Sequence, residues 1–145
     1  MFRLRLETIS GTKFDDNVAE VELPTMSGQI GVLTGHMPLI SVATHGVIKV
    51  RKNTGDPDDF REFFATNGGV IEVDHENQTL TLLVDEADHA DDINAAEAEK
   101  AMALAEKMKA EAKDQVSLDH AQSLIDRQAV RLQVAGIKRR NRRGQ

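Results

Sequence analysis

Five histidines, His36, His45, His75, His89 and His120, are spread along the sequence, and none has another histidine three or four positions away. A helical metal site needs that spacing to bring two imidazoles onto one face, so these residues read as turn and surface histidines. Asp56, Asp58 and Asp59 offer the carboxylates that general acid–base chemistry uses. Pro57 inside the cluster and Gly55 before it instead place them in a solvated hairpin turn. Cysteine is absent, which removes thiolate zinc sites, disulfides, cysteine nucleophiles and redox pairs and suits a reducing compartment. The sequence holds no G-x-x-x-x-G-K, G-x-G-x-x-G, G-x-S-x-G or H-E-x-x-H pattern. The expectation is a chain with no catalytic, cofactor-binding or metal-ligating residues.

Two other groups of residues ask for a role. The run Ser27 to Leu39, SGQIGVLTGHMPL, places Gly28, Gly31, Gly35 and Pro38 among the apolar Ile30, Val32, Leu33 and Leu39, and reads as a rigid, sharply bent surface loop or a sandwich corner. Near the other end, Arg127 and Arg131 lie four apart and so share a helical face, and Lys138, Arg139, Arg140, Arg142 and Arg143 follow Gly136. Such a basic face suits docking on an acidic partner segment; the bland reading is a solvated, disordered terminus.

The elements that position these groups fall into two parts. Over 145 residues, 40% hydrophobic, one domain with an appendage is affordable. Residues 1–88 hold 7 basic and 15 acidic residues, a net of −8, and residues 89–145 hold 11 and 9, a net of +2. All three prolines and every glycine but Gly136 and Gly144 lie before Asp88. The boundary is read between Asp88 and Asp92, dividing the chain into 1–88 and 89–145.

The first part alternates with period two. Phe2, Leu4 and Leu6 oppose Arg3, Arg5 and Glu7; a second, less regular run covers Val18 to Leu23, and a third Val47 to Val50. Turn signals at Ser10-Gly11, Ser27-Gly28, His45-Gly46, Asn53 to Pro57, Asn67 to Gly69 and His75 to Asn77 recur at short spacing, which predicts an antiparallel β-sandwich or barrel. Gly68-Gly69 is open between a tight turn and a bulge. In the second part Ala98, Ala101, Ala105, Met108 and Ala112 recur at helical steps, with Asn94 as cap and Glu97 three residues on. After a connection over 113–116, Leu118, Ala121, Ile125, Leu132 and Ala135 form a second stripe, ending at Gly136. The predicted fold is therefore mixed: an N-terminal antiparallel β-sandwich followed by a C-terminal antiparallel α-helical hairpin, whose alanine seam buries little area.

GVLTGHMPL, followed by GVIKV, NGGVIEV and TLTLLVDEA and then two helical segments, closely resembles the epsilon subunit of the F-type proton-translocating ATP synthase in order and spacing, from Leu4 to about Arg131. The resemblance implies a non-catalytic central-stalk subunit, peripheral on the cytoplasmic face of the bacterial cell membrane, that couples proton flow to ATP synthesis. Its implied partners are the gamma subunit, the c-subunit ring and, when the helices extend to restrain hydrolysis, the alpha/beta catalytic head. It also implies that Gln29, Gly31, Gly35 and His36 lie in the loop facing gamma and the ring. Many members carry an acidic residue where Gln29 stands, so a neutral hydrogen bond replaces a charged one here. The inhibitory contacts it implies are Arg127, Arg131, Lys138, Arg139 and Arg140. Some bacterial members bind ATP through I-D-x-x-R-A, but the chain reads Ile93-Asn94-Ala95-Ala96-Glu97-Ala98. Glu97 would set like charge against phosphate, so no ATP site is carried over and no cofactor is expected.

Other classes fit less well. Nucleic-acid binding would rest on the basic tail, because a sandwich at −8 with no Tyr or Trp repels phosphate and offers few stacking surfaces. A generic protein-interaction adaptor remains the competing reading. No stretch nears 18 apolar residues, so no membrane span is expected.

Overall fold

The computed structural model describes residues 1–144; Gln145, the last residue of the expected 89–145 part, lies outside the described residues. Ten strands come first: β1 (Phe2–Thr8), β2 (Gly11–Val18), β3 (Glu20–Thr25), β4 (Gly28–Leu33), β5 (Leu39–Ala43), β6 (Gly46–Arg51), β7 (Glu62–Thr66), β8 (Gly69–Asp74), β9 (Thr79–Val84) and β10 (Ala87–His89). A 3-10 turn at Ala90–Asp92 precedes helix α1 (Ala95–Glu111) and helix α2 (Gln115–Gly144). The chain forms two compact units, Met1–His89 and a second beginning at Ala90.

In the first unit, β10, β7, β6, β3 and β4 run side by side as one layer, and β5, β8, β9, β1 and β2 as the other. The layers join at a single bridge, Thr25 to Ala43. Alternation sets the faces as the sequence predicts: Phe2, Leu4 and Leu6 of β1 point into the core and Arg3 and Arg5 into water. Leu4, Leu6, Leu23, Ile48, Ile71, Leu80 and Leu82 are fully buried, each contributing roughly 1.5–3 kcal/mol of burial. The pairings are antiparallel except β1 with β9, which run parallel from Arg3 opposite Thr79 to Glu7 opposite Leu83. A parallel pair needs a long crossover, and here nearly the whole sandwich lies between the two strands.

Gly68-Gly69 is neither a hairpin turn nor a bulge. It carries the chain from β7 in one layer to β8 in the other, with the Asp85 N–H donating to the Gly68 carbonyl at 3.1 Å. On the outer face of the β3–β6–β7 layer, Glu20 and Glu22 meet Arg51 and Lys49 in register. Arg61 donates to Glu22 at 2.8 Å and to Glu20 at 3.4 Å. Asp58 closes on Arg51, which ties the acidic turn back to the sheet.

The second unit is a helical hairpin. Asn94 caps α1 as expected, its Oδ1 accepting from the Glu97 N–H at 3.2 Å. Ala98 and Ala105 are buried, Ala101 and Ala112 half-buried, and Met108 exposed. Two expectations are corrected. The connection is shorter than 113–116, because Asp114 caps α2 by accepting from the Ser117 N–H at 2.7 Å and helix begins at Gln115. Gly136 does not stop α2, which continues to Gly144, so the basic residues after it are helical rather than a free tail. Glycine costs about 1 kcal/mol in a helix interior, but Ala135, Ile137, Lys138, Arg139 and Arg140 flank it with acceptable or strong helix formers. The buried stripe of α2 is Ala121, Val130 and Val134, with Leu118, Ile125, Leu132 and Ala135 half-buried beside it.

Candidate functional site

The run Ser27 to Leu39 is not one bent loop. Its middle is the extended strand β4, paired along its length with β3 from Glu20 opposite Leu33 to Thr25 opposite Gly28. The glycines are tolerated because β4 is an edge strand: a Cβ on Gly28 or Gly31 would meet nothing within 4 Å. Gln29, opposite Pro24, and Gly31, opposite Glu22, therefore lie on strand, while Gly35 and His36 lie in the turn after it. Four strand steps, roughly 13 Å, separate Gln29 from Leu33, so Gln29 and the Gly35–His36 pair sit toward opposite ends of β4, with Gly31 on the strand between them, rather than in one loop. Gln29 stands beside the exposed hairpin tip at Met26 and Ser27.

The turn after β4 is tied down. The His36 N–H donates to the Leu33 carbonyl at 3.1 Å, Gly35 sits at φ +83°, and the His36 Nδ1–H donates to the Met37 carbonyl at 2.7 Å. From the β8–β9 turn, the His75 Nδ1–H donates to the His36 carbonyl at 2.9 Å, and Gln78 Oε1 accepts from the Gly35 N–H at 3.1 Å. Asp74 orders that second turn, accepting from the side chain and backbone of Asn77, whose hydrogen bonds hold the carboxyl below its usual range.

Next to this turn, one row on the outer face of the β5–β8–β9 layer is apolar where a solvated face would be polar, beside the polar Glu72 and Thr81 of the next row. Val42 stands opposite Val70, and Val70 opposite Leu83, in one cross-strand row. They are 56%, 45% and 54% exposed. In the next row Ile40 stands opposite Glu72, and Met37 precedes it on the side of the turn; they are 79% and 69% exposed. A shallow depression of about 660 Å³ adjoins them, lined by Pro38, Leu39, Ile40, Glu72 and His75. Contiguous exposed apolar surface is a feature of interaction sites in general. Sequence reading missed it, although the signal was present: Ile40, Val42, Val70 and Leu83 put apolar residues at the parity that alternation reserves for polar ones.

The basic residues of α2 divide. At 3.6 residues per turn, Arg127, Arg131, Lys138 and Arg142 fall within about 60° of one another around the axis. The buried Val134 falls on the same face. Arg127, Arg131 and Lys138 are accordingly half-buried, and Lys138 forms an ion pair with Asp91. Arg139 and Arg140 lie off that face and are exposed. A cavity of about 300 Å³ in this unit is lined by Ile93, Ala95, Ala135, Lys138, Arg139 and Arg142. Among the described residues no cluster of three metal-ligating side chains occurs, and no helix is long and apolar enough to cross a membrane.

Residues 1–90 match the family described as ATP synthase, Delta/Epsilon chain, beta-sandwich domain. The ATP synthase epsilon chain of Gloeobacter violaceus is 37% identical over 136 residues, covering 92% of this chain and 97% of the relative. In fold, the chain is similar to one in the Euglena gracilis mitochondrial ATP synthase OSCP/F1/c-ring structure, with a TM-score of 0.75 at 20% identity, covering 91% of this chain and 79% of that one. It is also similar to one in the Tetrahymena thermophila mitochondrial ATP synthase central stalk/c-ring structure, with a TM-score of 0.62 at 14% identity, covering 94% and 95%.

Proposed function

The chain belongs to the ATP synthase delta/epsilon family, and from that premise we propose that it is the non-catalytic epsilon subunit of the rotor, peripheral on the cytoplasmic face of a bacterial membrane. The observation that carries the reading is the exposed row Val42, Val70 and Leu83 with Ile40 and Met37 beside it. This is the face that docks on gamma. Val42, Val70 and Leu83, held in register by three paired strands, present a preformed apolar row, and burying it against a partner removes apolar area from water at roughly 25 cal/mol per Å² before the costs of association. The tip at Met26 to Gln29 meets the polar loops of the c ring, with the Gln29 amide as hydrogen-bond donor and acceptor in place of a carboxylate. Torque from proton flow passes through these two contacts, and the helical hairpin restrains ATP hydrolysis through the basic residues of α2.

Affinity capture tests the reading. Tagged chain expressed in its own cells should retain gamma and the ring after mild detergent extraction. Val70→Asp places an unpaired charge in the centre of the row without touching the core, and should abolish capture while leaving the thermal midpoint within a few degrees. Capture of gamma unchanged by Val70→Asp would reject this face.

A further inference from the structure

Gln78 is the one non-glycine residue with positive φ among those described, at +49°. The left-handed region costs most side chains on the order of 1 kcal/mol, and such strain persists where surrounding contacts over-determine it. Here the contacts come from three segments. Gln78 Oε1 accepts from the Gly35 N–H at 3.1 Å, its Nε2–H donates to the His75 carbonyl at 2.6 Å, and its own carbonyl accepts from the Arg3 N–H at 2.9 Å. The His75 ring adds a fourth link, to the His36 carbonyl. The Gln78 side-chain amide therefore fastens the turn after β4 to the β8–β9 turn, while the Gln78 main chain ties the same turn to the start of β1.

What hangs on that fastening is the edge of the apolar row. Met37 follows His36 directly and is largely exposed, and Pro38 leads into β5, where Ile40 and Val42 continue the surface. With Gly35 free to rotate, the Gly35–Met37 segment would sample several conformations and would lose that freedom on docking. We infer that Gln78 is a positioning residue for gamma: its side-chain amide pre-orders the Gly35–Met37 turn, so that the entropy of ordering Met37 is spent in folding rather than in binding. The inference rests on the reading of the apolar face given above.

Gln78→Gly separates positioning from stability, because glycine removes the amide while relieving the left-handed strain. Gln78→Ala removes the amide and keeps the strain, and Gln78→Asn restores an amide in a residue that accepts this conformation. Amide exchange at Gly35 in the free subunit should accelerate at least tenfold in Gly and Ala variants and partly recover in Asn, with the thermal midpoint of the Gly variant at or above wild type. Binding to purified gamma should weaken about tenfold in the Gly variant, the loss expected when a net hydrogen bond's worth of pre-ordering is removed. Unchanged Gly35 exchange in Gln78→Gly overturns the fastening. Accelerated exchange with unchanged gamma affinity overturns its role in docking. Wild-type subunit that does not bind gamma at all overturns the reading of the face instead, and the exchange measurement then still decides the fastening.

Discussion

A methyl group on Gly69 would stand 2.1 Å from the Leu83 carbonyl oxygen and 2.7 Å from the Val84 Cα. Both atoms belong to backbone of β9 that is hydrogen-bonded to β8, so neither can retreat without breaking the ladder. Gly69→Ala is expected to cost roughly 3 kcal/mol, the upper range for overpacking. Gly31→Ala, where a Cβ meets open space, should cost far less. Urea melts of the two variants side by side check the contrast; equal midpoints would mean that β8 and β9 separate more easily than their pairing implies.

The outer-face ion pairs predict an acid limit to stability. Burial alone would raise the Glu22 carboxyl, but Arg61 and Lys49 together outweigh it and hold it below its ordinary 4.5. Asp58 is held below its ordinary 3.8, chiefly by its hydrogen bond from Arg51 and then by the charge of Arg61. A depressed folded-state pKa means that the unfolded chain takes up protons first as pH falls, so this stability is present above the ordinary carboxylate range and lost below it. The thermal midpoint should hold between pH 7 and pH 5 and fall from about pH 4.5 downward. Glu22→Gln should start lower and fall less steeply over that interval; a slope identical to wild type would remove Glu22 from the acid limit.

β1 and, less regularly, β3 and β6 were legible because burial enforces period two: Phe2, Leu4 and Leu6 have one physical environment and Arg3 and Arg5 another; the two-part division was legible in the charge, glycine and proline shift near Asp88. β4 was not, because glycine and proline in Ser27 to Leu39 signal bending unless one knows that the strand lies at an edge with open space beyond it. The extent of α2 was hidden by Gly136, whose local cost is real but smaller than the gain of continuing through good helix formers. Of the candidate site, the run of residues put Gln29 and His36 in one loop, and their separation by β4 could not be read from it. The row Val42, Val70 and Leu83 unites three strands through register. Gln78 gave no sequence signal, since its role arises from the distant partners Gly35 and Arg3.

The sandwich should stand alone. Its core runs from Phe2 to Ala87 and draws every member from the first unit. A fragment of residues 1–89 is expected to melt cooperatively and to retain gamma binding, since the apolar row is complete within it. Circular dichroism and a pull-down check both parts; a fragment that melts without a transition would show that the core needs the helices.

The inhibitory reading makes a prediction that the length of α2 alters. If residues after Gly136 formed a flexible tail, they would lose more entropy on docking than the fixed pair Arg127 and Arg131, and removing them would matter less. They are helical instead, and Lys138 and Arg142 continue the stripe that Arg127 and Arg131 begin. Truncation after Gly136 therefore deletes part of one continuous basic surface, together with the Lys138–Asp91 pair inside the hairpin. Arg127→Ala with Arg131→Ala removes two guanidinium groups and keeps helix propensity. In the assembled complex both changes should raise ATP hydrolysis, truncation at least as much as the double substitution, and added salt should shrink the difference from wild type because charge-assisted contacts are screened. Hydrolysis rates measured with intact, substituted and truncated subunit at low and high salt decide it: no acceleration by either change would reduce the arginines to hairpin structure, and acceleration by the double substitution alone would confine the docking surface to the part of α2 before Gly136.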